Sequence, residues 1–127
     1  VFFNEVSFED ALLIHTAQLD RYGGRPGLQR EHALRSALDR PNSGYYEDTM
    51  QAASALMESL IKNHPFNDGV KRTSIQTTVY FLLKNGVKLN NKVNNLKAFN
   101  KLKRLMDTGN CNRLTLESWL RDYIVSI

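Results

Sequence analysis

The sequence predicts an all-α domain, and three observations carry that prediction. Apolar residues recur at the three- and four-residue spacing of a single helix face through most of the chain. The periodic segments open on capping residues or close on glycine, as Ser7 and Gly23-Gly24 do. The one run rich in β-branched residues, Thr73 to Val79, lies inside a segment too long for a strand and closed by Asn85-Gly86. Helix is therefore preferred there too.

The elements follow in order. Ser7-Phe8-Glu9-Asp10 resembles a capping box, and Ala11, Leu12, Leu13, Ile14 and Leu19 continue as an apolar face to about Tyr22. Gly23-Gly24 stops this helix, and Arg25-Pro26-Gly27 continues as a turn. A second helix is predicted from Gln29 to Arg40, with Ala33, Leu34, Ala37 and Leu38 inward. Pro41-Asn42-Ser43-Gly44 reads as a loop, and Tyr45-Tyr46 as an extended piece, so a small flap hairpin has room within 41–47. The third helix runs from Thr49 to about Asn63. The fourth starts near Gly69, and its run Val79-Tyr80-Phe81-Leu82-Leu83 marks it as a central, buried helix. Asn90 to Asn95 is a loop. Leu96, Phe99, Leu102, Leu105 and Met106 predict a fifth helix ending at Thr108-Gly109. Thr115 would cap a last helix bearing Trp119, Leu120, Tyr123 and Ile124, with Trp119 and Tyr123 in the core.

A length of 127 residues suits one domain over 1–127, since compact domains most often hold about 100–150 residues. Composition excludes collagen, mucin-like stalks and a wholly disordered chain. No apolar run approaches the roughly 20 residues that cross a bilayer, so no membrane partner is expected. Val1-Phe2-Phe3-Asn4-Glu5 meets an acid too early for a signal-peptide core. One cysteine, Cys111, forms no internal disulfide and points to a reducing cytoplasm. The net charge of +4 suits nucleotides, nucleic acid or an acidic protein without choosing among them. Lys84, Lys88, Lys92, Lys97, Lys101, Lys103 and Arg104 read as a solvated face, and no nucleic-acid recognition pattern accompanies them. His15 and His32 lack the paired ligands of a zinc site and are read as surface or packing residues.

One segment concentrates chemistry: His64-Pro65-Phe66-Asn67-Asp68-Gly69-Val70-Lys71-Arg72. Each residue has a task if the ligand is a nucleotide. Gly69 lets backbone approach phosphate and opens a helix whose free N–H groups attract anions. Lys71 and Arg72 neutralise phosphate oxygens, the arginine through its planar fork. Asp68 offers the single carboxylate that Mg²⁺ commonly takes from protein. His64 is a base able to take a proton from a hydroxyl near neutral pH. Phe66 has no polar task and is read as the anchor of the loop.

This segment resembles the signature of the Fic/Doc (Fido) family, His-x-Phe-x-(Asp/Glu)-(Gly/Ala)-Asn-(Gly/Lys)-Arg, at eight of its nine positions. His15 and the turn Arg21-Tyr22-Gly23-Gly24-Arg25-Pro26-Gly27 are similar to the family's Doc (death-on-curing) toxin branch. So are Tyr45-Tyr46-Glu47-Asp48 upstream and the helix end Phe81 to Val87. The resemblance is strongest from 15 to 87. It implies a compact helical bundle, with Tyr45, Tyr46 and Glu47 in a flap that docks a target.

The Lys71-Arg72-Thr73 ending looks like Doc, whereas AMP-transferring Fic enzymes usually carry Gly in place of Lys71 and an Arg in place of Ile75. The resemblance therefore implies a bacterial toxin kinase using ATP and Mg²⁺. Asn67, Gly69, Lys71 and Arg72 would hold the nucleotide, Asp68 the metal, and His64 would act as catalytic base. Its implied target is a threonine of elongation factor Tu, with arrest of translation. Ser43 to Asp48 does not complete the family's inhibitory motif, so inhibition is expected from a separate antitoxin whose disordered tail folds on the toxin. The alternatives are a Fic-type AMP transferase and a catalytically weakened domain that binds nucleotide or antitoxin. The second rests on Val70, which replaces the motif's Asn and removes a hydrogen-bond donor expected to face the transferring phosphate.

Overall fold

The computed structural model describes residues 1–125, and among them it holds six α-helices: α1 (Phe8–Tyr22), α2 (Glu31–Asp39), α3 (Thr49–Asn63), α4 (Val70–Lys84), α5 (Leu96–Asp107) and α6 (Arg113–Arg121). The all-α expectation holds. Short 3₁₀ turns occupy Arg40–Asn42 and Asn91–Asn94.

Capping explains most of the boundaries. The Ser7 side chain accepts from the Asp10 N–H at the start of α1, and Asp48 accepts from Gln51 at the start of α3. At α6 the cap is Asn112 rather than Thr115. Asn112 accepts from the Thr115 N–H, and the Thr115 hydroxyl accepts in return from the Asn112 N–H, so Thr115 is the third helical residue of a capping box. Helix α2 begins two residues later than its periodicity suggests, because Gln29 and Arg30 both donate their N–H groups to the Pro65 carbonyl.

Helix α3 lies at the centre, packed against α2, α4 and α6, and every residue from Ala52 to Met57 is buried. Helix α4 shares that centre along one face. Its β-branched residues Thr73, Ile75, Thr77 and Thr78 turn inward with Phe81 and Leu82, while Leu83 is exposed. Burial of those side chains outweighs their modest helix propensity. The N-terminal strap adds Phe3 and Val6 to the core. Reciprocal amide bonds fasten it, from Asn42 to Phe3 and from Asn85 to Asn4. At the other end the buried Trp119 indole donates to the Ala98 carbonyl and ties α6 to α5.

No hairpin forms within 41–47. Pro41, which has no N–H to offer a ladder, sits in the 3₁₀ turn, and the Tyr46 hydroxyl accepts from Arg40 Nε at 2.9 Å. Only two residues then remain before Thr49 opens α3, which leaves no room for a returning strand.

Candidate active site

The loop between α3 and α4 carries the motif. His64 ends α3 with φ 50° and ψ 57°, and it is the only non-glycine residue with positive φ among the described residues. A left-handed backbone costs a non-glycine residue stability, and such strain gathers at functional sites. The turn leaves the His64 imidazole exposed while Pro65 and Phe66 turn inward. Phe66 is buried under the flat face of His15, with ring centroids 3.9 Å apart and planes inclined by 8°. Phe66, read from the sequence as the anchor of the loop, is the loop residue placed in the core beneath His15.

Residues 23–30 tether the loop through backbone groups. Besides the two bonds to the Pro65 carbonyl, Asn67 N–H donates to the Gly27 carbonyl at 3.1 Å, and the Asn67 amide donates to the Pro26 carbonyl at 3.2 Å. Leu28 and Phe66 pair as an isolated antiparallel bridge. The backbone at Gly27 adopts a conformation that favours glycine, and a side chain there would also displace the Asn67 amide. A Cβ on Gly27, whose φ is +122°, would meet the Asn67 amide nitrogen at 2.5 Å. Asn67, expected on the nucleotide, thus has its NH₂ end engaged in this tether.

Asp68 is exposed, yet held. Its Oδ2 accepts from the Arg25 N–H at 3.1 Å, its Oδ1 accepts from the Gly69 N–H at 2.9 Å, and His15 Nε2 bonds its carbonyl at 2.8 Å. The backbone N–H of Arg25, then that of Gly69, hold the Asp68 carboxyl below the usual carboxylate range, so it is ionised at neutral pH. Gly69, at φ +74°, is the N-cap of α4 and has no side chain to offer. Its own N–H is taken by Asp68, which leaves the next three N–H groups, of Val70, Lys71 and Arg72, for an outside acceptor.

His64, Asp68, Gly69, Lys71 and Arg72 line one cleft of about 260 Å³, together with Asn67, Val70, Tyr22, Gly23, Phe99 and Met106. Val70 is only 6% exposed and belongs to the core as much as to the cleft wall. The Arg72 guanidinium carbon lies 3.8 Å from the Tyr22 ring centroid and 4.2 Å from that of Phe99. Tyr22 and Phe99 were not legible as site residues: Phe99 carries the spacing of any core-facing position on α5. Tyr45, Tyr46 and Glu47 are absent from the cleft wall. Tyr45 is exposed, Tyr46 packs beside Arg40 and Arg113, and the Glu47 N–H donates to the Gln51 side chain.

This arrangement pairs an accessible imidazole with an ionised carboxylate and an anion-seeking helix start in a single cleft. Among the described residues no three His, Cys, Asp or Glu side chains group to hold a metal by themselves. A cation here would therefore share Asp68 with oxygens of its ligand.

The model of the Fic/DOC family matches residues 5–82. The chain belongs to the Fic/DOC family. It is 30% identical to Protein kinase doc of Escherichia phage P1 over 88 residues, which cover 66% of this chain and 70% of that protein. The matched Fic/DOC segment spans α1 to the Leu82 turn of α4, and so contains the whole motif loop and its tether. Phe99 and Met106, the residues of α5 that line the cleft of this chain, lie beyond the matched segment. Among the described residues no helix is long and apolar enough to cross a membrane.

Proposed function

We propose that this protein is a Doc-like toxin kinase that transfers the γ-phosphate of ATP to a threonine hydroxyl of a translation factor, elongation factor Tu. The observation that carries the reading is the convergence of His64, Asp68 and the open start of α4 on one cleft. The name of the phage relative supports kinase chemistry over AMP transfer.

The residues fit ATP·Mg²⁺. Asp68 is an exposed, ionised carboxylate, and Mg²⁺ is usually bound by one or two carboxylates together with phosphates and waters. Lys71, Arg72 and the free N–H groups of α4 would bind and orient the phosphates. When bound, ATP·Mg²⁺ supplies a phosphoryl group ready for transfer. His64 takes the proton of the target hydroxyl as its oxygen bonds to the γ-phosphorus. The bond to the β,γ-bridging oxygen breaks and ADP leaves, so atoms and charge balance. Little covalent chemistry falls to the protein, and rigid positioning of the motif loop by residues 23–30 does the rest.

In this reading the protein acts in the bacterial cytoplasm, arrests translation, and is restrained by an antitoxin on a separate chain. The deciding experiment is intact-mass analysis of purified elongation factor Tu after incubation with the protein and ATP·Mg²⁺. One added phosphate is expected. One added AMP would replace the kinase by a transferase. An unmodified target, with ATP still bound by the protein, would leave a weakened nucleotide-binding domain.

A further inference from the structure

Arg72 differs from the other cation of the motif, Lys71, in what surrounds its charge. Its guanidinium carbon lies within 4.2 Å of two ring centroids, those of Tyr22 and Phe99, and among the described residues it has no hydrogen-bond or ion-pair partner. The backbone that carries each ring is held by hydrogen bonds. Tyr22 is the last residue of α1, where the Gly23 N–H closes the helix on the Leu19 carbonyl at 2.7 Å. Phe99 follows Ala98, whose carbonyl accepts from the buried Trp119 indole and whose N–H is capped by Asn95.

We infer that Tyr22 and Phe99 are positioning residues that preset the Arg72 guanidinium for an anionic ligand, with α5 recruited to the site through Phe99. The physics is a division of labour within one planar group. Ring contacts use the faces of a guanidinium, while its N–H donors lie in its plane, so stacking leaves the donors available to phosphate oxygens. A free arginine must surrender rotamer freedom when it grips a ligand; a stacked one has already done so. Arg21, 5.4 Å from the Tyr22 centroid, has a looser contact with one ring only.

This inference rests on the ATP·Mg²⁺ reading of the cleft, and a double-mutant cycle separates the two. Binding of ATP·Mg²⁺ is measured by calorimetry for the parent, Phe99→Leu, Phe99→Tyr, Arg72→Ala and the Phe99→Leu/Arg72→Ala pair, with melting curves for each. Phe99→Leu keeps an apolar side chain but removes the ring, and is expected to weaken binding about three- to tenfold, the worth of one cation–π contact. Phe99→Tyr should bind like the parent. In the Arg72→Ala background, Phe99→Leu should change binding no further. If Phe99→Leu does not fold, Tyr22→Leu at an exposed position carries the same cycle. Equal weakening in both backgrounds, or none in either, overturns the positioning role alone. A parent that binds no ATP·Mg²⁺ overturns the functional reading and this inference with it.

Discussion

His15 lies flat on Phe66, ring against ring at 3.9 Å, and at the same time bonds the Asp68 carbonyl through Nε2 at 2.8 Å. One buried side chain of α1 thus holds both the Phe66 ring and the backbone of Asp68 in the motif loop. The two contacts can be separated. His15→Phe preserves a ring on Phe66 but leaves the Asp68 carbonyl without its donor, and is expected to cost about 1 kcal/mol. His15→Ala loses both and opens a cavity, at about 2–4 kcal/mol. Urea unfolding of the three proteins checks this. Equal losses would mean that the stacked ring contributes nothing.

Transfer and binding should part company at His64. The imidazole is exposed and bears no load in the fold, so His64→Ala should lower phosphoryl transfer about 10²–10⁴-fold while ATP affinity stays near that of the parent. Asp68→Asn should instead weaken the Mg²⁺ dependence of binding. Growth arrest on expression without antitoxin should be relieved by both. If both variants stayed as toxic as the parent, the site would lie elsewhere.

Gly27→Ala tests the tether. Its φ of +122° suits glycine alone, and the added Cβ would meet the Asn67 amide nitrogen. A loss of about 1–3 kcal/mol is expected, with reduced transfer because the loop must shift. Adding Asn67→Ala makes room and should recover part of the stability. Strict additivity of the two substitutions would show that they do not meet.

Acid sensitivity should trace partly to Glu58. Burial alone would raise its pKa, but hydrogen bonds from Arg40 at 2.8 Å and from the Arg113 N–H at 2.7 Å hold it below the usual glutamate range. A depressed carboxyl stabilises the fold above its unfolded value and loses that contribution as pH falls through the folded one. The window therefore opens below about pH 4.3, the ordinary glutamate value. Glu58→Gln should be less stable than the parent at neutral pH, and the gap should narrow on acidification. Melting temperatures across the acid range will test it; a constant gap would remove Glu58 as the titrating group.

Val70→Asn should raise single-turnover transfer, by up to about 10²-fold if the amide reaches phosphate oxygens. Because Val70 is 6% exposed, the same change should lower stability by about 1–3 kcal/mol wherever the amide goes unsatisfied. ATP affinity should change little, since Lys71, Arg72 and the helix N–H groups remain. A rate equal to the parent's would mark Val70 as a tolerated packing residue.

The helices were legible because their signals are local. Apolar spacing, Ser7 and the glycine stops all act within a few residues of chain, and α3 spans Thr49–Asn63 as its periodicity predicts. The composition of the motif was equally legible, since base, carboxylate, glycine and cations stand in one short run. Thr115 misled only because Asn112 competes for the same cap three residues earlier.

The sequence by itself thus determined an all-α chain, its helix order, and a nucleotide-type motif between α3 and α4. Tertiary structure decided what surrounds that motif. The tether of residues 23–30 runs largely through the carbonyls of Pro26, Gly27 and Pro65, and a backbone acceptor carries no mark in the residue that bears it. Phe99 reaches Arg72, and Tyr46 instead joins Arg40, because an aromatic ring offers the same apolar spacing whether its partner is a core or a guanidinium. Which partner it meets depends on how distant helices pack, and that is set by burial of the whole core rather than by any local run of residues.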